Sequence, residues 1–285
     1  MTSADENPSP VLLEAPDISI YQQGNTGIEY VHQFDSGKPG PHVMISAVVH
    51  GNELCGAIAL DHLFRNQVRP LDGILTLAFM NVAAFHSFDP EKPKDSRFVD
   101  EDFNRLWTKE VLNGERDSLE LRRVREVRPL LETVDLLFDI HSMQTGTTPL
   151  MMAGPLEKGC NLAKNLGIPE MVVTDWGHKA GQRMRDFEGF SDPASSKNAL
   201  LIECGQHWQF GSADLAISAA WRFLWKTGIV TEEKAAPFQP EQLPEKQRYI
   251  EVTGPYTIKT ESFRFVQKFV GLEVIEKAGT IIGYD

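Results

Sequence analysis

The sequence predicts an α/β protein built on a doubly wound sheet, on three observations. Apolar runs of strand length stand at 43–49, 74–80, 136–141 and 199–205, and they read as buried strands. Stretches with helical spacing alternate with them, the pattern of a sheet with helices on both faces. Several runs also finish on a histidine or a carboxylate, at the carboxyl edge where open α/β sheets place their sites.

Composition narrows the function classes. A chain of 285 residues with 41% hydrophobic side chains can bury a sizeable core. Its 40 acidic and 28 basic side chains leave a net charge of −12. That argues against nucleic acid or an anionic membrane surface as the main partner, while leaving room for a local basic pocket for a small acid. Cys55, Cys160 and Cys204 have no metal-knuckle spacing, and such a sparse, odd set fits a reducing compartment. The polar, acidic start at Met1–Pro8 lacks the basic and apolar regions of a signal peptide. No apolar run reaches the roughly 18 residues of a membrane span. The expected location is the cytoplasm.

In chain order, residues 1–16 read as a flexible lead and 18–32 as edge strands around Gly24 and Gly27. The first strong unit is the strand from Val43 to Val49 followed by a helix. Leu54, Ala57, Ile58, Leu60, Leu63 and Phe64 recur at helical spacing, with Asn52 as its expected N-cap. After the strand 74–80, residues 81–107 are Pro-rich, charged and without a period, and long irregular segments inside a compact domain are usually functional. A charged helix over 115–133 is expected to end or kink at Pro129. Next come the strand 136–141, a short helix at 161–166, a strand at 170–174 and a mobile loop over 177–196. The strand 199–205 and a helix over 214–226 close the alternation. These elements define a catalytic domain over 17–232, a Pro/Gln-rich linker over 233–248 and a C-terminal β-domain over 249–285, read as incomplete.

Four positions at strand ends carry polar groups: His50 with Glu53 just after it, His141 and Glu203. Gly51 suits the sharp turn that lets His50 and Glu53 aim at one point. Two histidines and one carboxylate are what a catalytic zinc needs, with a fourth position kept open. A further carboxylate outside the ligand set can act as the proton-accepting base. Asp139 lies two residues before His141 on the same strand face, placed to hydrogen-bond a ligand imidazole. A glutamate after Ala199-Leu200-Leu201-Ile202 is costly unless it is paired or working. The irregular segment adds Arg97 and Arg105, suited to a carboxylate or a developing oxyanion, although runs such as 97–105 are more commonly a solvated face.

The motifs His50-Gly51-Asn52-Glu53, Arg97 with Asp102-Phe103-Asn104-Arg105, Asp139-Ile140-His141-Ser142 and Ile202-Glu203-Cys204-Gly205 stand in a fixed order. In that order they resemble the succinylglutamate desuccinylase/aspartoacylase family of the zinc carboxypeptidase clan, over about residues 42–210. The resemblance implies a mixed sheet of the zinc carboxypeptidase type with a small C-terminal β-domain. It implies one Zn²⁺ per chain held by His50, Glu53 and His141, with Glu203 as general base and then acid. Arg97 is similar to the family's carbonyl-polarising arginine, and Asn104 with Arg105 to its carboxylate-binding pair. The implied activity is hydrolysis of a small N-acyl amino acid. Two departures bear on the acid recognised. Phe103 replaces the usual leucine, and Asp192-Pro193-Ala194-Ser195 stands where aspartoacylases carry a further substrate-binding arginine.

Two other readings remain, a zinc carboxypeptidase for short peptides and a non-catalytic metal- or ligand-binding protein. The presence of Glu203 speaks against the second. A homo-oligomer is left open. Among the remaining histidines, His62 is expected to be structural and His207 to stand behind the site, while a substrate contact by His178, in the loop with Arg183 and Arg185, is left open. Cys204 is expected to be a buried, inert thiol. Trp176, Trp208, Trp221 and Trp225 are expected to serve core or interface packing.

Overall fold

The computed structural model describes residues 9–285. Its centre is an eight-stranded mixed sheet. The chain enters through β1 (Val31–Asp35), β2 (His42–Ala47), helix α1 (Leu54–Arg65), β3 (Ile74–Phe79) and a short α2 (Val82–His86). It continues through α3 (Lys109–Asn113), α4 (Leu119–Leu131), β4 (Leu136–Met143), β5 (Leu150–Met152), α5 (Glu157–Leu166) and β6 (Met171–Thr174). Then come β7 (Asn198–Gln206), α6 (Phe210–Lys226), α7 (Glu232–Ala235) and β8 (Arg248–Glu251). The strand order is β1-β3-β2-β4-β7-β5-β6-β8. β1 runs antiparallel to β3 and β5 antiparallel to β7, while the remaining pairs are parallel.

The central strands are buried on both faces, which is why β2, β3, β4 and β7 read as continuous apolar runs. Their side chains divide by the two-residue period. Val43, Ile45, Leu75, Leu77, Phe138 and Leu200 face the layer of α1, α5 and α6. Met44, Ala78, Leu137 and Ala199 face α4, whose Leu121, Val124, Val127 and Leu131 cover them. β2, β4 and β7 lie side by side and finish at one edge, so the expected strand-end residues are delivered together.

Several expectations shift. Only residues 9–16 of the expected lead lie among the described residues, and they are anchored: Leu12 N–H donates to Trp208 O at 3.0 Å and Leu13 is buried in the core. The N-cap of α1 is Glu53, and Asn52 makes no capping bond. Pro129 lies inside α4, which runs on to Leu131; so near the helix end it removes little of the ladder. Residues 18–32 give a single 3₁₀ turn at Ser19–Tyr21 and the start of β1. The expected linker is partly helical, and Phe238 stacks on Trp221 at 4.4 Å. Arg248–Glu251, split between the expected linker and C-terminal domain, pair in parallel with β6 as the last strand of the main sheet. Beyond it the described chain holds a two-residue ladder, β9 (Arg264–Phe265) with β10 (Gly283–Tyr284), and is mostly exposed. No helix among the described residues is long and apolar enough to cross a membrane.

Candidate metal centre and pocket

The turn after β2 explains how His50 and Glu53 come to share a point. Val48 adopts a left-handed φ of 63°, an outlier for a β-branched residue that costs about 1–3 kcal/mol and concentrates at functional sites. Backbone bonds hold it there: Met80 N–H to Ala47 O at 2.9 Å and Asn81 N–H to Val48 O at 2.8 Å. Gly51 then passes so close to the backbones of Ala84 and Ser96 that a Cβ would collide with both. Its N–H donates to Arg97 O at 3.1 Å, tying the His50 turn to the irregular segment.

Glu53 stands between two imidazoles. His50 Nδ1 is 2.7 Å from Glu53 Oε1, and His141 Nδ1 is 2.9 Å from Oε2. One ligand atom from each of the three residues falls within 4.8 Å of the others. The far nitrogens are backed by carboxylates, His141 Nε2 by Asp139 Oδ2 at 2.8 Å and His50 Nε2 by Asp102 Oδ1 at 3.0 Å. Ser46 Oγ donates to the other oxygen of Asp139 at 2.7 Å. Carboxylates placed this way fix the tautomer and raise ligand basicity. Arg97 Nη2 also lies 2.9 Å from His50 Nε2. That nitrogen cannot both accept from Arg97 and donate to Asp102. Donation to Asp102 is the arrangement that leaves Nδ1 a free lone pair.

The three side chains set one another's charge. Burial alone would raise the Glu53 carboxyl, but the flanking His141 and His50 hold it well below the usual range. Burial likewise opposes charge on His141, and Asp139 and Glu53 overcome it and push that ring well above its ordinary value. Two imidazole nitrogens, each backed by a carboxylate, and the Glu53 carboxylate fit a metal-binding donor set with an open position.

Glu203 faces this cluster from the adjacent strand, paired in register with His141. A register irregularity follows between β4 and β7, and Gly205 takes a φ of 103° there. Glu203 Oε2 is buried and has no hydrogen-bond partner, and burial pushes the carboxyl up to about 8. Cys204 points away from the site and is buried, its thiol raised by burial, as expected of an inert cysteine.

A cavity of about 390 Å³ opens from the cluster and is lined by His50, Glu53, Arg97, Asn104, Arg105, His141 and Glu203 together. Asp139 is fully buried behind it. Arg97 Nη2 donates to Asp102 Oδ2 at 3.0 Å, whereas Nη1 makes no hydrogen bond among the described residues. Asn104 Oδ1 accepts from Met184 N–H at 2.8 Å, and Arg105 Nη1 donates to Asn104 O at 2.7 Å. His178 lies on the exposed rim, and His207 is buried in the wall. His62 lies away from the cavity against Trp221 and Phe238. Trp208 and Trp221 are packing residues as expected, but Trp176 is 82% exposed, outside any core.

Sequence reasoning missed the groups that hold the cationic wall. Glu120, fully buried on α4, accepts from the N–H groups of Val99, Asp100 and Glu101 at 2.7, 3.0 and 3.3 Å. The segment expected to be mobile is also pinned. Arg183 pairs with Asp175 and Asp186, and Arg185 pairs with Asp186 and donates to Ala153 O and Ala199 O at 3.0 Å. A buried glutamate in an otherwise charged helix was the available signal for Glu120, but its partners are backbone groups from a segment without a period.

Residues 39–223 match the model of the succinylglutamate desuccinylase/aspartoacylase catalytic domain. Among solved structures, the product-bound ectoine utilization protein from Ruegeria pomeroyi is 18% identical with a TM-score of 0.56, over 80% of this chain and 66% of that one. A succinylglutamate desuccinylase/aspartoacylase from Rhodobacter sphaeroides is 17% identical with a TM-score of 0.56, over 76% and 64%. A succinylglutamate desuccinylase from a Silicibacter species is 17% identical with a TM-score of 0.61, over 89% and 74%. The chain thus spans slightly less than two thirds of the first two. At these identities the likeness is one of fold. No curated protein matches the chain by sequence.

Proposed function

This chain belongs to the succinylglutamate desuccinylase/aspartoacylase family, and on that premise we propose that it is a zinc-dependent hydrolase cleaving the amide bond of a small N-acyl amino acid. The observation that carries the reading is Glu203. An unpartnered carboxylate oxygen lies in the wall of the cavity that also holds the His50–Glu53–His141 cluster, with its proton affinity pushed up to about 8 by burial. A general base works best with a pKa near the operating pH, and a carboxylate placed only for structure would be paired.

His50, Glu53 and His141 are the residues that would hold zinc. Bound there, the ion supplies Lewis acidity toward a carbonyl oxygen and lowers the pKa of water. Glu203 takes the proton of the attacking water and then delivers it to the leaving nitrogen. Arg97, through Nη1, which lies 4.0 Å from Glu53 Oε1 without a hydrogen bond to it, donates to the acyl oxygen as negative charge develops there. Arg105 and the Nδ2 of Asn104 hold the carboxylate of the amino acid, since Oδ1 of Asn104 is already engaged by Met184.

The test is turnover by zinc-loaded protein of a panel of N-acetyl, N-succinyl and N-formyl amino acids against dipeptides. Release of free amino acid from a panel member, lost in Glu203→Gln, is expected. Cleavage of dipeptides alone would make it a carboxypeptidase. No turnover of either, with zinc bound, would leave a binding protein.

A further inference from the structure

Two polar atoms around the cavity are buried without a hydrogen-bond or ion-pair partner, Glu203 Oε2 and His207 Nε2. The first belongs to the proposed base. The second has no role yet. Leaving a buried polar atom unpaired costs about 1–3 kcal/mol, so each one calls for a partner that arrives from outside.

His207 is 1% exposed and lines the cavity. Its place is fixed from three sides. Its N–H donates to Met143 O at 2.9 Å, its Nδ1 lies 2.8 Å from Ser142 Oγ, and its ring tilts against Trp208 with centroids 5.5 Å apart. The Ser142 contact sets the tautomer. The Ser142 hydroxyl has no other acceptor among the described residues, so its proton goes to Nδ1 of His207. The reverse arrangement would leave both the hydroxyl proton and Nε2 unpaired. The ring is therefore a neutral imidazole whose unpaired donor is Nε2–H, on a side chain that lines the cavity. Burial, which holds this ring down to about 4, keeps it neutral through the physiological range.

We propose that His207 is a catalytic residue that donates its Nε2–H to the substrate's acyl oxygen, completing with Arg97 the set of donors around the developing oxyanion. Its ring bonds Ser142, the residue that follows His141, and lines the cavity together with His50, Glu53 and Glu203, which puts it beside the metal end. A donor at that end meets the reacting carbonyl, not the carboxylate of the amino acid. A neutral donor suits the task because it stabilises a growing negative charge without drawing the proton of Glu203. The role rests on the proposed amide hydrolysis.

The test compares His207→Leu and His207→Gln on the panel member that wild type turns over fastest. Loss of one oxyanion donor lowers kcat by about 10²–10³-fold, so the Leu variant is expected to fall by about 10²-fold with KM and metal content nearly unchanged. The Gln variant, whose amide N–H reaches a similar position, is expected to recover most of that loss. Equal losses in both variants, or an unchanged Leu variant, overturn the assignment. A readout independent of turnover is the ¹⁵N spectrum of the His207 ring in zinc-loaded wild type. It is expected to report the Nε2–H tautomer and a downfield shift of that proton when acetate is added. An Nδ1–H tautomer, or no response to acetate, overturns the inference even where the panel is turned over. Absence of turnover with the shift present would remove amide hydrolysis and leave His207 as an oxygen-binding donor.

Discussion

At the inner end of the pocket every functional side chain hangs from a strand end or from the first residues of a helix. At the outer end each hangs from the long connection before α3, Asn104 and Arg105 on a single 3₁₀ turn there. His50, Glu53, His141 and Glu203 inherit their positions from three adjacent strands, β2, β4 and β7, so the packing of the sheet also fixes the cluster. Arg97, Asn104 and Arg105 have no such support. They are placed by Glu120, by Asp102 and by the backbone N–H of Met184. A site built on regular elements is more exactly held than one built on loops. The strand-borne groups are accordingly expected to govern metal and proton chemistry, where small displacements matter most, and the loop-borne groups to hold the substrate, Arg97 at its acyl oxygen and Arg105 at its carboxylate.

The largest expected effect tests the inner end directly. His141→Ala removes one of two nitrogen ligands, and two remaining ligands rarely hold zinc tightly. Zinc content by elemental analysis should fall well below one per chain, with activity lost in proportion. A variant that keeps full zinc would mean that the cluster is not the metal site.

Next in size is Glu203→Gln, expected to keep zinc while lowering kcat by about 10²–10⁴-fold. The same variant has a signature in stability. A carboxyl that titrates at 4.5 when unfolded and near 8 when folded binds more protons in the folded state between those values. Stability from this group is then complete below the lower value and is lost as pH rises through the upper one. In metal-free protein, wild type should lose denaturation free energy between about pH 5 and about pH 9 relative to Glu203→Gln. Parallel curves for the two proteins would show that the buried carboxyl is not the group described.

The same contrast explains what could be read from the sequence. His50, His141 and Glu203 were legible because each terminates an apolar run, and the run itself announces a buried strand. The alternation of strands and helices gave the sheet. Asp139 was legible by the two-residue period. Asp102 sits in the motif with Arg105, yet its contact with His50 joins positions 52 residues apart and no periodicity encodes it. Glu120 was hidden because its partners are distant backbone N–H groups and the Asn81 amide, and the Asp175–Arg183–Asp186–Arg185 chain because a segment without a period gives no sign of which charges meet. Arg248–Glu251 was grouped with the tail because four residues next to a Pro-rich stretch do not reveal that their partner is β6.

Moving outward, Arg97 and Arg105 divide the two roles. Arg97→Ala is expected to lower kcat by about 10²-fold with little change in KM, since a donor to the acyl oxygen gains strength as charge develops. Arg105→Ala is expected to raise KM by about tenfold with kcat nearly constant, because a guanidinium on a carboxylate binds ground and transition states alike. Steady-state kinetics on one N-acyl amino acid decides the matter. The reverse pattern would exchange the roles while leaving the inner end untouched.

The smallest effect, and the sharpest test of how the outer end is held, is expected from Glu120→Gln. Glu120 touches no part of the cavity, yet its carboxylate gathers three consecutive backbone N–H groups and the Asn81 Nδ2 amide at 3.1 Å. Glutamine keeps the size but has one acceptor oxygen, and it turns an N–H group toward backbone donors. At least one of those donors then loses its partner in a buried place, at a cost of about 1–3 kcal/mol. The loss falls on 99–101, directly between Arg97 and the Asp102–Arg105 motif. Both arginines should therefore loosen together. KM should rise a few-fold, kcat should fall less than in Arg97→Ala, and zinc content should stay at the wild-type value. The denaturation midpoint should drop as well, because the bonds at Glu120 also anchor α4 to the sheet edge through Asn81. If kinetics were unchanged while stability fell, Glu120 would be a brace for α4 alone, and the outer wall would owe its geometry to Asp102 and Met184. If zinc were lost too, the inner and outer ends would be a single mechanical unit, and the division of labour between them would not hold.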